Sequence, residues 1–250
     1  MKHKAFYLLF SIGVILLGWS SITYFGNFTV WQLPSPIVVG KELWQSIHSS
    51  SYLIDVRATF FIASTGFLLS ILVGVGIATL LHFSPLLKKL VMPSLLLSQN
   101  IPVIVLAPLL VIWLGFGVTA KLVVVVLVCF FPITIAMVDA FDQVDRNLKR
   151  YLEMAGATKW EKFVSLSFPS AIPVLFSSCK VSATYSVMGA VVAEWLGTEH
   201  GLGMIMTQAA SSFRTDRVFV AIIFIVLLSA CFFLLIWLAE LSWKHKRRLR

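Results

Sequence analysis

The sequence predicts an all-α membrane protein with six transmembrane helices, because its composition is far too apolar for a soluble domain. Of its 250 residues, 59% are hydrophobic and 12% are charged, whereas soluble domains carry about 45–50% apolar and about 25% charged residues. A spanning helix needs about 20 mostly apolar residues to cross a hydrocarbon layer about 30 Å thick. Windows of that length predict spans at 5–26, 58–82, 93–116, 119–138, 172–196 and 218–240.

Positive charges collect on one side of this six-span topology. Lys2, Lys4, the connection 139–171 and the basic tail 243–250 fall on the same side. Since Lys and Arg near span ends stay in the cytoplasm, both termini are predicted to be cytoplasmic. The formal net charge of +9 is explained by this asymmetry and by anionic lipid headgroups, so we expect contact with the lipid bilayer and not with nucleic acid.

No residue pattern indicates catalysis or a metal site. Cys129, Cys179 and Cys231 lie inside predicted spans at unrelated spacings, and no two histidines stand four residues apart. Neither paired Asp residues nor Ser with Lys or His occur at matching depth, as an intramembrane enzyme requires. The phosphate-loop motif of ATP-binding proteins is missing. We therefore predict no catalytic residue, no metal and no cofactor bound by this chain.

Two spans carry polar residues that admit two interpretations. In the third span, Asn100 precedes Pro102 and Pro108, which indicates either a structural kink or a helix lining a cavity. The fifth span has small or polar residues every fourth position, which fits helix packing or the lining of a transport pathway. Lys180 in that span is expected to extend its amine to the membrane surface. The candidate pathway residues are Asn100, Pro102, Trp113, Ser182, Tyr185, Ser186 and Glu194.

The connection 139–171 carries signals of a defined helix. Thr158 and Glu161 fit a capping box, which predicts a helix start. Gly156, just before it, can adopt positive φ in a sharp turn. Trp160 and Phe163 then supply apolar surface up to Pro169. Spacing alone leaves two interpretations open, a helix that docks in the groove of a partner protein and a re-entry helix at the headgroup level.

These stretches resemble the permease subunits of ATP-binding-cassette (ABC) importers, in the branch for nitrate, sulfonate, taurine and thiamine-precursor pyrimidines. The resemblance covers nearly the whole chain, and its stretches are Leu33–Pro36, Gln99–Pro102, Ala107–Pro108, Trp113–Gly117, Met154–Trp160, Phe163, Phe168–Pro169, Ala171–Pro173, Val192–Gly197 and Gly201–Gly203. It implies a type I ABC importer permease (MetI-like) fold with a cytoplasmic coupling helix. One departure is clear, since Arg150, Tyr151 and Leu152 stand where the family has Glu-Ala-Ala.

The resemblance implies a multi-pass subunit of the bacterial inner membrane that needs several partners. These are ABC ATPase subunits holding ATP and Mg²⁺, an external solute-binding protein and a second permease copy. The implied ATPase-docking segment comprises Glu153, Ala155, Gly156, Ala157, Thr158, Lys159, Trp160 and Phe163. Expected regions are 1–56 for the first helix and outer connection, 57–242 for the permease core with its coupling loop at 139–171, and 243–250 for the tail.

The cargo is predicted from a shorter resemblance. Residues 183–187 and 189–191 look most like the thiamine-precursor pyrimidine branch, and Trp113 and Tyr185 offer rings for stacking on a flat heterocycle. Aliphatic sulfonate, taurine or nitrate is the alternative cargo. An ion-coupled secondary transporter is the alternative class, because it would also use proline-broken helices.

Overall fold

Helices make up the regular secondary structure of the residues that the computed structural model describes, 2–196 and 199–248. Gly197 of the family-like motif and Arg250 of the basic tail lie outside them. In chain order the helices are α1 (Lys2–Phe25), α2 (Pro36–Ile47), α3 (Ser50–Phe83), α4 (Pro85–Ser98), α5 (Val103–Leu114), α6 (Val118–Asp142), α7 (Arg146–Met154), α8 (Lys159–Lys162), a π-helical turn (Phe163–Ser167), α9 (Phe168–Glu194), α10 (Leu202–Ser211) and α11 (Thr215–Arg248).

Four helical runs of the described chain are long and apolar enough to cross a membrane. They are α3, α6, the run Lys159–Glu194 that contains α9, and α11; the bent pair α4–α5 makes a fifth if it counts as one span. The predicted span 5–26 corresponds to α1, whose described apolar part is Phe10–Phe25. The all-helical membrane fold is therefore confirmed, whereas the count of six spans is not matched exactly.

The third span, predicted at 93–116, is interrupted next to Pro102 as the sequence indicates. The structure has two helices there, α4 and α5, which meet at an angle of 103°. Pro102 cannot donate a backbone hydrogen bond and disfavours helix at Ile101. The Asn100 amide instead donates to the carbonyls of Leu96 and Leu97, both at 3.3 Å, which closes the end of α4.

The core of the bundle lies where α3, α6 and α9 pack against one another. Gly66 and Gly74 of α3 face Val125 and Ile133 of α6 so closely that a Cβ on Gly66 would lie 2.6 Å from the Val125 Cβ. These glycines therefore allow the backbones of α3 and α6 to pack closely. Gly189 of α9 lies against Val125 as well, so the three helices form one tightly packed unit.

Replacing Gly66 with valine is expected to lower the free energy of unfolding by about 1–3 kcal/mol or more, because the new side chain overlaps Val125 and forces the helices apart. Gly76→Val in the same helix is the matched control, since a Cβ there meets nothing within 4 Å. Thermal unfolding of the purified variants measures the difference. Equal melting temperatures for the two variants would contradict the close approach of α3 and α6.

The two ends of the bundle differ in character. The basic end carries α7, α8 and the π-helical turn, with the carboxyl ends of α3 and α6 beside them. The distal end carries α2 and α10, with the start of α11 beside them. In α2, Val39 is buried while Ile47 is exposed.

Candidate functional site

The turn at Gly156 ends α7 in a specific hydrogen-bonded motif. Gly156 has φ of +81°, a conformation that costs L-residues about 1–2 kcal/mol. Its N–H donates to the Glu153 carbonyl at 3.1 Å, and the Ala157 N–H donates to the Leu152 carbonyl at 2.9 Å. This is a Schellman motif with glycine at its left-handed position. A Cβ on Gly156 would meet nothing within 4 Å, so the residue also faces open space.

The predicted capping box at the start of α8 is confirmed. The Thr158 N–H donates to Glu161 Oε2 at 2.7 Å, and the Glu161 N–H donates to Thr158 Oγ1 at 3.2 Å. Both backbone donors at the helix start are thereby satisfied by side chains. The helix direction after the Gly156 turn is therefore set by local interactions.

Replacing Thr158 with alanine is expected to cost about 1 kcal/mol, because the Glu161 N–H loses its acceptor. Thr207→Ala is the matched control, since that exposed hydroxyl donates to the Met204 carbonyl of its own helix, α10. Hydrogen exchange of the amides of 158–162 measures the change. We expect faster exchange in Thr158→Ala alone; unchanged protection would contradict the capping role.

The sequence had indicated that the helix after Thr158 ends before Pro169. In the structure the helix continues past this residue. It passes through the π-helical turn directly into α9, so that Lys159–Glu194 is one helical run of 36 residues. The Phe168 N–H donates to the Phe163 carbonyl five residues back. This wider turn accommodates Pro169 and Pro173, which lack N–H donors, within a continuous helix.

Phe163 anchors this run to the rest of the bundle. Its ring is only 5% exposed and lies 5.1 Å from the Phe83 ring of α3 and 5.4 Å from the Phe141 ring of α6. Trp160 stacks on Phe83 at 5.9 Å but remains 61% exposed. The segment therefore has an inner face fixed by aromatic packing and an outer face, including Trp160, that no described residue covers.

An ion pair closes the turn between α7 and α8. Lys162 Nζ lies 2.9 Å from Glu153 Oε1, and this hydrogen bond with its charge holds the pKa of the Glu153 carboxyl below its ordinary value. A lowered folded-state pKa contributes stability at neutral pH that is lost as the pH falls through it. Glu153 thus stabilises the turn from within the chain.

The predicted pathway residues other than Glu194 separate into two groups. Ser182 and Ser186 are fully buried; Ser182 Oγ donates to the Cys129 carbonyl of α6 at 3.0 Å, and Ser186 Oγ donates to the Ala183 carbonyl. Their stripe is the packing face of α9. The exposed group consists of Asn100, Pro102, Trp113 and Tyr185, of which Tyr185 lies on the exposed side of α9.

Glu194 belongs to a buried polar cluster that binds the start of α10. Its side chain is 1% exposed, and its Oε2 accepts from Thr59 Oγ1 at 3.0 Å and from the Gly203 N–H at 2.9 Å. Thr59 Oγ1 also accepts from the Leu202 N–H at 2.9 Å, and Asp55 Oδ1 accepts from the Gly201 N–H at 3.0 Å. Three successive backbone donors are thus satisfied by side chains of α3 and α9.

The glycines beside this cluster leave no room for side chains. A Cβ on Gly203 would lie 2.3 Å from the Val191 carbonyl oxygen, and one on Gly201 would lie 2.3 Å from Glu194 Cδ. Sequence reasoning had selected Glu194 but missed Thr59 and Asp55. The one available signal was the Gly201-Leu202-Gly203 stretch, which indicates a close approach.

A family model described as the inner membrane component of binding-protein-dependent transport systems matches residues 66–244. The match covers well over half of the chain, including the turn at Gly156 and Glu194. The chain belongs to this family. It is thus a permease subunit of an ABC importer and a multi-pass protein of the bacterial inner membrane, and ATP hydrolysis belongs to a separate subunit.

Individual relatives of the permease extend over most of its length. A probable ABC transporter permease protein of Haemophilus influenzae is 32% identical over 95% of this chain and 97% of its own. The formylaminopyrimidine transport permease protein ThiX of Halalkalibacterium halodurans is 34% identical, covering 86% and 87%. A putative aliphatic sulfonates transport permease protein, SsuC of Bacillus subtilis, is 29% identical, covering 84% and 76%.

An ion pair within the permease, which sequence reasoning missed, joins α9 to α11. Lys180 Nζ lies 2.8 Å from Glu240 Oε2, and Lys244 Nζ lies 2.7 Å from Glu240 Oε1. The amine of Lys180 is therefore held by a carboxylate of α11, which corrects the expectation that it simply extends to the membrane surface. Sequence spacing gave no signal, because the partners are 60 residues apart.

Proposed function

We propose that two copies of this permease translocate a thiamine-precursor pyrimidine that an external binding protein delivers, driven by ATPase subunits that hold ATP and Mg²⁺. In this arrangement the basic end, with both termini, lies in the cytoplasm. The distal end faces the binding protein. The ATPase docks on the segment Glu153–Phe163.

The geometry of that segment supports ATPase docking. Ala155, Gly156 and Ala157 form an outward turn in which a Gly156 Cβ would meet open space, and Trp160 is largely exposed beside it. A partner surface can therefore approach the backbone closely at Gly156. Lys159, at the first helical position after Thr158, adds a charge to the same segment. Arg150, Tyr151 and Leu152 lie one turn earlier in α7, so the absent Glu-Ala-Ala triplet changes the flank of this surface and not the turn.

The cargo proposal rests on the exposed face of α9, which carries no charge. Although α3, α5, α6, α10 and α11 all pack against this helix, one stripe stays open along its whole described length. The exposed side chains of the stripe are Ser170, Val174, Ser177, Val181, Tyr185 and Met188. A second copy facing this stripe would enclose a path lined by aromatic, thioether and hydroxyl groups, which suits a neutral flat heterocycle.

The alternative cargo, an aliphatic sulfonate, taurine or nitrate, carries an anionic group. An anion in a low-dielectric path is stabilised by a cationic side chain. Lys180 is the cation of α9, and its amine is paired with Glu240 on the α11 side. The exposed stripe therefore favours the pyrimidine, in agreement with the formylaminopyrimidine permease among the relatives.

Uptake by the reconstituted importer tests the cargo. Vesicles holding the permease with its ATPase are supplied with the binding protein and either labelled formylaminopyrimidine or labelled alkanesulfonate. We expect ATP-dependent uptake of the pyrimidine, a tenfold or greater loss in Tyr185→Ala, and retention in Tyr185→Phe because the ring remains. Uptake of the sulfonate alone would overturn the cargo proposal.

A further inference from the structure

The start of α10 is held by side chains from two other helices rather than by its own sequence. The residue before the helix is Gly201, with φ of +138° and no side chain to cap it. Asp55, Thr59 and Glu194 together accept the N–H groups of residues 201–203. A helix attached in this way cannot move without changing contacts to α3 and α9.

The α10 helix also forms one wall of an open polar cavity at the distal end. The cavity has a volume of about 500 Å³ and lies between α2, α3, α10 and the start of α11. Its lining includes Glu42, Tyr52, Asp55, Gln208, Arg214 and Arg217. The guanidinium groups of Arg214 and Arg217 are held by Glu42 at 3.3 and 3.0 Å while about half of each side chain stays exposed. Such a rim offers charged groups to a hydrophilic protein partner.

Glu194 stands at the far end of the helical run that begins at the ATPase-docking segment. Lys159 opens the run next to Thr158, and Glu194 closes it about 50 Å away at 1.5 Å per residue. The run is joined to α3 at both ends, through the rings of Phe163 and Phe83 at the basic end and through Thr59 and Glu194 at the distal end. A displacement of α10 would therefore act directly on the helix that carries Trp160.

We propose that Glu194 and Thr59 form a relay: the binding protein docks on α10 and the polar cavity, and these two residues transmit that docking through α9 to the ATPase-docking segment. The proposal rests on the proposed function in one respect, that the distal end faces the binding protein. Glu194 and Thr59 act as positioning residues and touch no cargo. Transmission requires that the hydrogen bonds to residues 202 and 203 differ between the docked and free states.

Replacing Thr59 with valine tests the relay with little change in volume. The valine removes both the acceptor for the Leu202 N–H and the donor to Glu194, whereas Thr59→Ser keeps both. We expect the ratio of binding-protein-stimulated to unstimulated ATP hydrolysis to fall tenfold or more in Thr59→Val and to recover in Thr59→Ser. A wild-type ratio in Thr59→Val would overturn the relay.

A second measurement applies if Thr59→Val fails to assemble with the ATPase. Gln208, exposed on α10 and lining the cavity, is changed to cysteine in a chain whose Cys129, Cys179 and Cys231 are serine, and is coupled to a polyethylene-glycol maleimide. We expect the affinity for the binding protein to fall tenfold or more; unchanged affinity would overturn docking on α10. Both readouts are independent of cargo, so failure of pyrimidine uptake would contradict the cargo proposal alone.

Discussion

Replacing Glu194 with leucine is expected to lower the free energy of unfolding by about 2–5 kcal/mol. The side chain is fully buried, and its Oε2 accepts from both Thr59 and the Gly203 N–H. Leucine fills a similar volume but accepts no hydrogen bond. The Gly203 N–H is then buried without an acceptor, which costs about 1–3 kcal/mol, and the Thr59 hydroxyl keeps, as a donor, only its 3.3 Å hydrogen bond to the Asp55 carbonyl. Thermal unfolding of the permease in lipid nanodiscs measures the loss.

Two variants separate this effect from a general sensitivity of the distal end. Glu194→Gln keeps an oxygen at the same place and is expected to cost much less. Glu199→Leu removes an exposed carboxylate five residues away and is expected to leave the melting temperature nearly unchanged. If Glu194→Leu has the same melting temperature as Glu199→Leu, the buried cluster does not hold α10 in place.

Replacing Phe163 with alanine is expected to cost about 3–5 kcal/mol, the usual range for removing a buried aromatic ring. The ring contacts Phe83, Phe141 and Phe168, so its loss frees the docking segment from α3 and α6. A segment that is loosely attached cannot transmit force to these helices. We expect the ATPase to remain bound, while the number of cargo molecules taken up per ATP hydrolysed falls tenfold or more.

The neighbouring residue provides the control for this prediction. Val164 is 49% exposed, and Val164→Ala is expected to change neither the melting temperature nor the uptake per ATP appreciably. Uptake and hydrolysis are measured together in proteoliposomes. Normal uptake per ATP in Phe163→Ala would show that aromatic packing of the segment is not needed for coupling.

The parts of the docking segment that the sequence predicted are those that depend on neighbours within a few residues. The turn at Gly156 and the helix start at Thr158 follow from residues at most five positions apart, whose hydrogen bonds require no other helix. The continuation of the helix past Pro169 was missed. It depends on a widened turn that α3 and α6 stabilise through Phe163, and no local residue pattern reports that packing.

The polar cluster around Glu194 depends instead on residues that are far apart in the chain. A four-residue spacing placed Ser182, Ser186 and Glu194 on one face of a helix, but it could not say whether that face meets a pathway or a neighbouring helix. The answer depends on Thr59, which is 135 residues from Glu194 in the chain, and on the packing of α9 against α3 and α6. Likewise, Pro102 predicted an interruption of the third span but not the angle of 103° between α4 and α5.

Photo-crosslinking from position 160 tests whether the ATPase docks on the segment Glu153–Phe163. The photoreactive residue p-benzoylphenylalanine replaces Trp160 in the assembled importer, and in a control it replaces Phe116, which is 80% exposed beyond the end of α5. We expect irradiation to join the ATPase to the permease from position 160 and not from position 116. An intact complex that crosslinks to the ATPase from position 116, or from neither position, would contradict docking on this segment.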